Sequence, residues 1–136
     1  MTRKGNIGGA ELNELSRRVL GASIQVHSAL GPGLLESAYE ACLEHELRGL
    51  GLQVERQKTL PIRYRDVIVD PGYRIDLVVE SRILLEIKAV RQLIPIHHAQ
   101  LLTYLKLSGV HLGFLLNFNV SRLKNGITRL VHDFPD

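Results

Sequence analysis

The chain has 136 residues, of which 45% are hydrophobic and 23% charged, and its formal net charge is +3. This size suits one domain with its own core, and the composition excludes disordered, collagen-like and disulfide-framework proteins. A single cysteine, Cys42, excludes an internal disulfide, and no apolar run approaches the ~20 residues of a membrane-spanning helix, so we expect a cytoplasmic protein without a membrane partner.

Helical periodicity begins at Glu11, after a stretch without periodicity that we interpret as a flexible leader over residues 1–10. Apolar residues then recur at spacings of three and four, and they are Leu12, Leu15, Val19, Ala22, Val26 and Leu30. Proline cannot continue a helix, so Gly31-Pro32-Gly33 ends this one. The expected buried side of a second helix, which ends by Gly51, comprises Leu35, Ala38, Cys42, Leu43, Leu47 and Leu50.

From residue 53 the period changes to that of strands. The predicted strands span residues 54–64, 67–69, 73–80 and 82–90. Pro61 makes the first of them either one strand with a bulge or a bent pair of strands. Asp70-Pro71-Gly72 is a strong turn signal between the second and the third.

A third helix is predicted from Pro95 to Leu107, because proline is favoured in the first turn. A buried strand over 112–118, a turn or short helical piece over 121–125 and an edge strand over 127–132 complete the chain. The order αα-βββ-α-β-β predicts one α/β domain of mixed α+β type over residues 11–136. Its central mixed β-sheet is flanked by helices.

The two strands of residues 73–90 carry carboxylates that the hydrophobic pattern does not explain. Alternation sends one set of residues to one face of the sheet, and they are Ile75, Leu77, Val79, Ile83, Leu85, Ile87 and Ala89. The two strands share that face only if the numbers of opposed residues sum to an even number, which a turn centred on Ser81 satisfies. Asp76 then lies opposite Glu86, with their Cβ atoms ~5 Å apart. Opposed like charges are unfavourable unless a cation lies between them, and oxygen ligands suit Mg²⁺ or Mn²⁺.

Lys88 follows Glu86 by two residues on the same face, where it can orient water or neutralise a phosphoryl oxygen. The spacing alone also fits a solvated ladder of surface ion pairs that includes Arg74. In the third helix Gln100 and Tyr104 share one face, either directed at the carboxylates or, for Tyr104, simply part of the core.

Five segments, in order along the chain, carry a family resemblance, and they are residues 30–39, 73–76, 85–89, 99–106 and 116–118. The first contains Gly33, Glu36 and Tyr39 at the spacing that names the GxxExxY proteins. The chain therefore resembles that family, which is placed in the PD-(D/E)XK nuclease-like superfamily. The resemblance implies a restriction-endonuclease-like core, in agreement with the predicted order of elements.

The resemblance also implies roles for particular residues. The implied catalytic residues are Asp76, Glu86, Lys88, Gln100 and Tyr104. The implied metal ligands are Glu36, Asp76, Glu86 and the backbone carbonyl of Ile87. Arg74 and Tyr39 are the expected substrate contacts. Ile75 stands where the superfamily pattern has proline, which leaves the carboxylate of Asp76 in place.

The leading hypothesis is a phosphodiesterase, a nuclease that uses Mg²⁺ or Mn²⁺ and acts on nucleic acid, with DNA favoured over RNA. The alternative is a non-catalytic module on the same fold that binds nucleic acid or protein. A net charge of +3 permits a polyanionic partner without requiring one. A homodimer is left open.

Overall fold

The computed structural model describes residues 8–136, which form three α-helices, one 3₁₀ helix and seven strands. The helices are α1 (Gly9–Leu30), α2 (Glu36–Gly49) and α3 (Pro95–Ser108), with the 3₁₀ helix at Leu123–Gly126. The strands are β1 (Val54–Thr59), β2 (Ile62–Tyr64), β3 (Val67–Val69), β4 (Arg74–Val79), β5 (Ile83–Lys88), β6 (Leu112–Asn117) and β7 (Ile127–Val131). Helix α1 thus begins before the predicted Glu11, and residues 1–7 of the expected leader lie outside the described residues.

Five strands form one mixed sheet in the order β1-β4-β5-β6-β7. Strands β5 and β6 are parallel, and α3 connects them as the crossover that parallel pairing requires. The other neighbours in this sheet are antiparallel, and β7 lies at an edge. The predicted mixed sheet and its last edge strand are confirmed.

Five strands precede α3, which matches the predicted ranges if residues 54–64 are a bent pair, whereas the predicted order αα-βββ-α-β-β has only three. The main sheet does take three of them, β1, β4 and β5, whereas β2 and β3 pair only with each other as a separate antiparallel hairpin. Pro61 lies between β1 and β2 because it lacks the N–H that a continuing ladder needs. The bent-pair interpretation of residues 54–64 is therefore the correct one.

Helices cover both faces of the main sheet. On one face α1 and α2 pack on a core that includes Leu77, Leu85 and Phe114. On the other face α3 packs through Leu101 and Leu105 on a smaller core. This three-layer arrangement confirms the sheet flanked by helices. Within residues 8–136, no helix combines the length and the apolar character needed to cross a membrane.

The predicted alternation along β4 and β5 holds, with one exception. The residues that face α1 and α2 as predicted are Leu77, Val79, Ile83, Leu85 and Ile87. The prediction is wrong for Ile75, which packs in the α3 core with Leu84. The backbone is irregular at this point, because Gln57 of β1, which lies across from Asp76, has a positive φ of 54°.

The predicted buried side of α2 is correct for Leu43 and Leu47. It is wrong for Leu35, Cys42 and Leu50, which are exposed. Cys42 lies ~100° around the helix from Leu43, outside the buried stripe. Tyr39 and Glu40 occupy that stripe instead, so α2 buries a tyrosine and a carboxylate against the sheet.

Candidate functional site

The β4–β5 hairpin has the register that the sequence predicts. Leu77 pairs with Leu85 and Val79 with Ile83, so the same register continued by one pair sets Asp76 opposite Glu86. The turn places both Glu80 and Ser81 in the left-handed region, at φ of 53° and 56°. This conformation closes a tight hairpin without glycine.

Side-chain oxygens replace backbone ladder bonds where β4 and β5 separate. The N–H of Asp76 donates to Oε2 of Glu86 at 2.9 Å, and the N–H of Ile87 donates to Oδ2 of Asp76 at 2.8 Å. The regular pairing between these strands ends at Leu77 and Leu85. The two carboxylates are therefore fixed in the gap between the strands, each through one oxygen.

This gap is an unfavourable place for two negative charges. Glu86 is only 5% exposed, and burial followed by the charge of Asp76 raises its pKa from 4.5 to about 8. Burial and the charge of Glu40 raise the pKa of Asp76 from 3.8 to about 6, against the lowering effect of the Ile87 N–H. Such a pair is stabilised either by protonation or by a cation.

The donor set fits a hard divalent cation. The two carboxylates offer oxygen atoms, which are the ligands that Mg²⁺ and Mn²⁺ prefer. Within residues 8–136, no group of three or more histidine, cysteine, aspartate or glutamate side chains is placed so that it could hold a metal ion. Asp76 and Glu86 by themselves supply two carboxylates, a number that Mg²⁺ accepts because it keeps several of its waters.

Helix α2 brings two acidic residues toward this gap. Glu36, its first residue, is exposed and accepts the backbone N–H of Ala89 at 2.9 Å, directly after Lys88. Glu40, one turn later, is buried and influences the pKa of Asp76. The acidic residue of α2 that acts on Asp76 is thus Glu40, which was not among the residues predicted for the site.

Glu40 belongs to a network with β1. Its Oε2 accepts Nε of Arg56 at 2.6 Å, and its Oε1 accepts Nε2 of Gln57 at 2.7 Å. The same Gln57 amide donates to Oδ1 of Asp76 at 3.3 Å. The hydrogen bond to Glu40 raises the pKa of Arg56. Glu40 therefore carries a paired charge, and its network orients Asp76.

Helix α3 approaches the gap from the opposite face. Tyr104 is nearly buried, and its pKa is raised first by burial and then by the negative charge of Glu86. The Gln100 side chain, one turn earlier on α3, lowers this pKa. The structure therefore brings Tyr104 within electrostatic range of the carboxylates, with Gln100 beside it. His97 accepts the N–H of Ile94 through Nδ1 at 3.1 Å, which caps α3.

The remaining candidate residues are Lys88, Arg74 and Tyr39, and the structure places them at three different kinds of position. Lys88 ends β5, where its positive charge lowers the pKa of Glu86, and Arg74 is exposed at the start of β4. Tyr39 is fully buried, stacks on Phe118 at 4.4 Å between ring centroids, and accepts the N–H of Leu34 through its hydroxyl. The structure places Tyr39 in the core, where it has no surface to offer a substrate.

One signal in the sequence pointed to Glu40. It follows Glu36 by four residues, so both lie on one face of α2, and it adjoins Tyr39 on the buried side. Gln57 and Arg56 gave no such signal, because their roles depend on pairing across β1, β4 and α2.

A comparison with protein families matches residues 13–130 to a model described as the PD-(D/E)XK nuclease superfamily. The matched range includes every candidate residue described above. No curated protein and no solved structure gives a significant match to the chain. The narrower resemblance to the GxxExxY proteins stays a prediction.

Proposed function

Because the chain belongs to the PD-(D/E)XK nuclease superfamily, we propose that it is a divalent-metal-dependent phosphodiesterase that hydrolyses nucleic acid. The observation that carries this proposal is the pair of buried carboxylates, Asp76 and Glu86, fixed between two separated strands. A protein gains no stability from burying two adjacent negative charges. A cation bound between them would offset both charges, which supports the proposal.

Asp76, Glu86 and the backbone carbonyl of Ile87 are the proposed ligands, and Mg²⁺ or Mn²⁺ is the proposed ion. Glu36 lies at the same end of β5 through its bond to Ala89, which makes it the candidate for an additional ligand. When bound, the ion supplies Lewis-acid polarisation of a phosphoryl oxygen and lowers the pKa of a water.

Lys88 is the proposed residue that orients the attacking water. Its ammonium group also stabilises negative charge that develops on the phosphoryl oxygens. Gln100 and Tyr104 act from α3, where the Tyr104 side chain lies within electrostatic range of Glu86 and Asp76. Arg74, exposed at the start of β4, is the proposed contact to backbone phosphate, and binding through such a contact weakens with salt.

Cleavage of labelled single-stranded and duplex oligonucleotides, in DNA and in RNA, tests this proposal. We expect cleavage with Mn²⁺ or Mg²⁺ and none with EDTA. Asp76→Asn, Glu86→Gln and Lys88→Ala should each lower the rate by about 100-fold or more. Glu55→Gln is the matched control, because Glu55 is an exposed acid of β1 that pairs with Lys58 on the surface.

Equal cleavage by the wild type and all three variants would contradict the site assignment. Metal-independent binding of nucleic acid without any cleavage would favour the non-catalytic module on the same fold. Folded state is checked for each variant by circular dichroism, so that a lost activity is not confused with a lost structure.

A further inference from the structure

A small open pocket lies beside the candidate active site, between α3 and the start of β4. It has a volume of about 230 Å³ and is lined by Tyr73, Ile96, Ala99, Gln100, Thr103 and Tyr104. The charges of Glu86 and Asp76 act on Tyr104, so this side chain lies within electrostatic range of the carboxylates. Tyr104 therefore links the pocket to the candidate active site.

Tyr73 presents an aromatic face in this pocket. Its side chain is 44% exposed, whereas Tyr104 is only 5% exposed. The two rings are 6.2 Å apart between centroids and tilted by 45°, so they meet at an angle instead of covering each other. The face of Tyr73 is therefore available to a flat group that enters the pocket.

The backbone around Tyr73 is fixed before any ligand arrives. The N–H of Leu60, a buried residue, donates to the carbonyl of Tyr73 at 2.9 Å. On the other side, Gly72 has a positive φ of 89°, and its N–H donates to Oδ1 of Asp70. This turn and the end of the β1–β4 ladder hold the aromatic ring in place.

The pocket has the chemistry of a site for one nucleobase. Its volume is below the range of pockets for whole drug-sized ligands, so it suits a single flat ring system. Aromatic and aliphatic side chains supply stacking and apolar contact, and the Gln100 amide supplies both a donor and an acceptor. Arg74, next in the chain, is exposed and offers a positive charge to the adjoining phosphate.

We propose that Tyr73 and α3 form a nucleobase subsite, which makes single-stranded nucleic acid, or a strand with an unpaired base, the preferred substrate. A base in the interior of a duplex is stacked on both sides and has no free face for Tyr73. This inference rests on the proposed nuclease function for its biological role, but binding tests it independently of cleavage.

The test measures binding of fluorescent oligonucleotides by anisotropy in EDTA, so that metal-dependent cleavage does not interfere. Three probes are compared: a single strand of mixed sequence, the same strand with abasic residues, and a duplex. Tyr73→Ala should weaken single-strand binding by about tenfold, as expected for one lost base stack. Tyr73→Phe should restore it, because phenylalanine keeps the aromatic face.

Tyr64→Ala is the matched control, since Tyr64 is an exposed tyrosine of the β2–β3 hairpin outside the pocket. It should bind the single strand like the wild type. The abasic strand should bind Tyr73→Ala and wild type equally, which a purely structural effect of the substitution would not produce. Cleavage rates on single strand and duplex are then measured separately in Mn²⁺.

Weak binding of the single strand by the wild type, or equal loss in the Tyr64 and Tyr73 variants, would overturn the inference. Equal single-strand affinity of Tyr73→Ala and wild type would also overturn it, even if the protein cleaves nucleic acid. Conversely, a Tyr73-dependent preference for single strands without cleavage would support the subsite and contradict the proposed catalysis.

Discussion

Replacing Glu86 by glutamine should stabilise the protein without metal, although it removes a proposed catalytic group. The amide oxygen of glutamine still accepts the N–H of Asp76, so the anchoring bond is kept. What disappears is the buried negative charge beside Asp76. Removal of that charge should also ease the ionisation of Asp76, since each carboxylate raises the other's cost of ionisation.

The magnitude follows from the pKa of Glu86, which is raised from 4.5 to about 8. The folded state therefore binds the proton more tightly than the unfolded state, and the stability from this group is fully present below pH 4.5. It is lost as the pH rises toward 8. Relative to low pH, this pKa difference lowers the free energy of unfolding of the wild type by roughly 3 kcal/mol at pH 7 and by roughly 5 kcal/mol above pH 8.

Urea unfolding of wild type and Glu86→Gln in EDTA, at several pH values between 4 and 9, measures this difference. We expect the variant to be more stable by a few kcal/mol at pH 8, and the gap to close near pH 4. Added Mn²⁺ should stabilise the wild type and leave the variant little changed, because a ligand stabilises only the state that binds it. A variant that is less stable than wild type at pH 8 would refute the reasoning.

Two further predictions concern the supports of the site. Arg56→Met should destabilise the fold by about 1–3 kcal/mol in urea unfolding, because it leaves the buried carboxylate of Glu40 without its charged partner. An unchanged urea midpoint would show that the Arg56–Glu40 pair does not contribute to stability. Tyr39→Phe should cost about 1–3 kcal/mol through lost hydrogen bonds to Gly31 and Leu34, with nucleic-acid affinity unchanged in anisotropy measurements. A loss of nucleic-acid affinity in the folded Tyr39→Phe variant would instead support Tyr39 as a substrate contact.

The sequence was sufficient for the register of the central hairpin. An alternating pattern allows only registers that keep the apolar residues on one face, since a slip by one residue would turn them all to the other. That constraint alone predicts that Asp76 lies opposite Glu86. It did not predict that Ile75 changes sides, close to the left-handed backbone of Gln57 on the neighbouring strand, because an alternating pattern carries no signal for such an irregularity.

Glu40 shows a second kind of position that the hydrophobic pattern does not predict, a buried charged residue. A charged residue is normally assigned to the exposed side of a helix, and Glu40 is buried because Arg56 and Gln57 satisfy its oxygens. Those partners lie on a strand that packs against α2 only after folding. Cys42 is the converse case, an apolar residue by type that lies at the surface because it is ~100° around the helix from buried Leu43.

Calorimetric titration of the protein with Mn²⁺ tests most directly whether Asp76 and Glu86 form a cation site. Wild type should bind the ion, and Asp76→Asn and Glu86→Gln should each abolish or strongly weaken the binding. The surface control Glu55→Gln should titrate like the wild type. Binding of equal strength in all four proteins, or no binding by the wild type, would contradict the account.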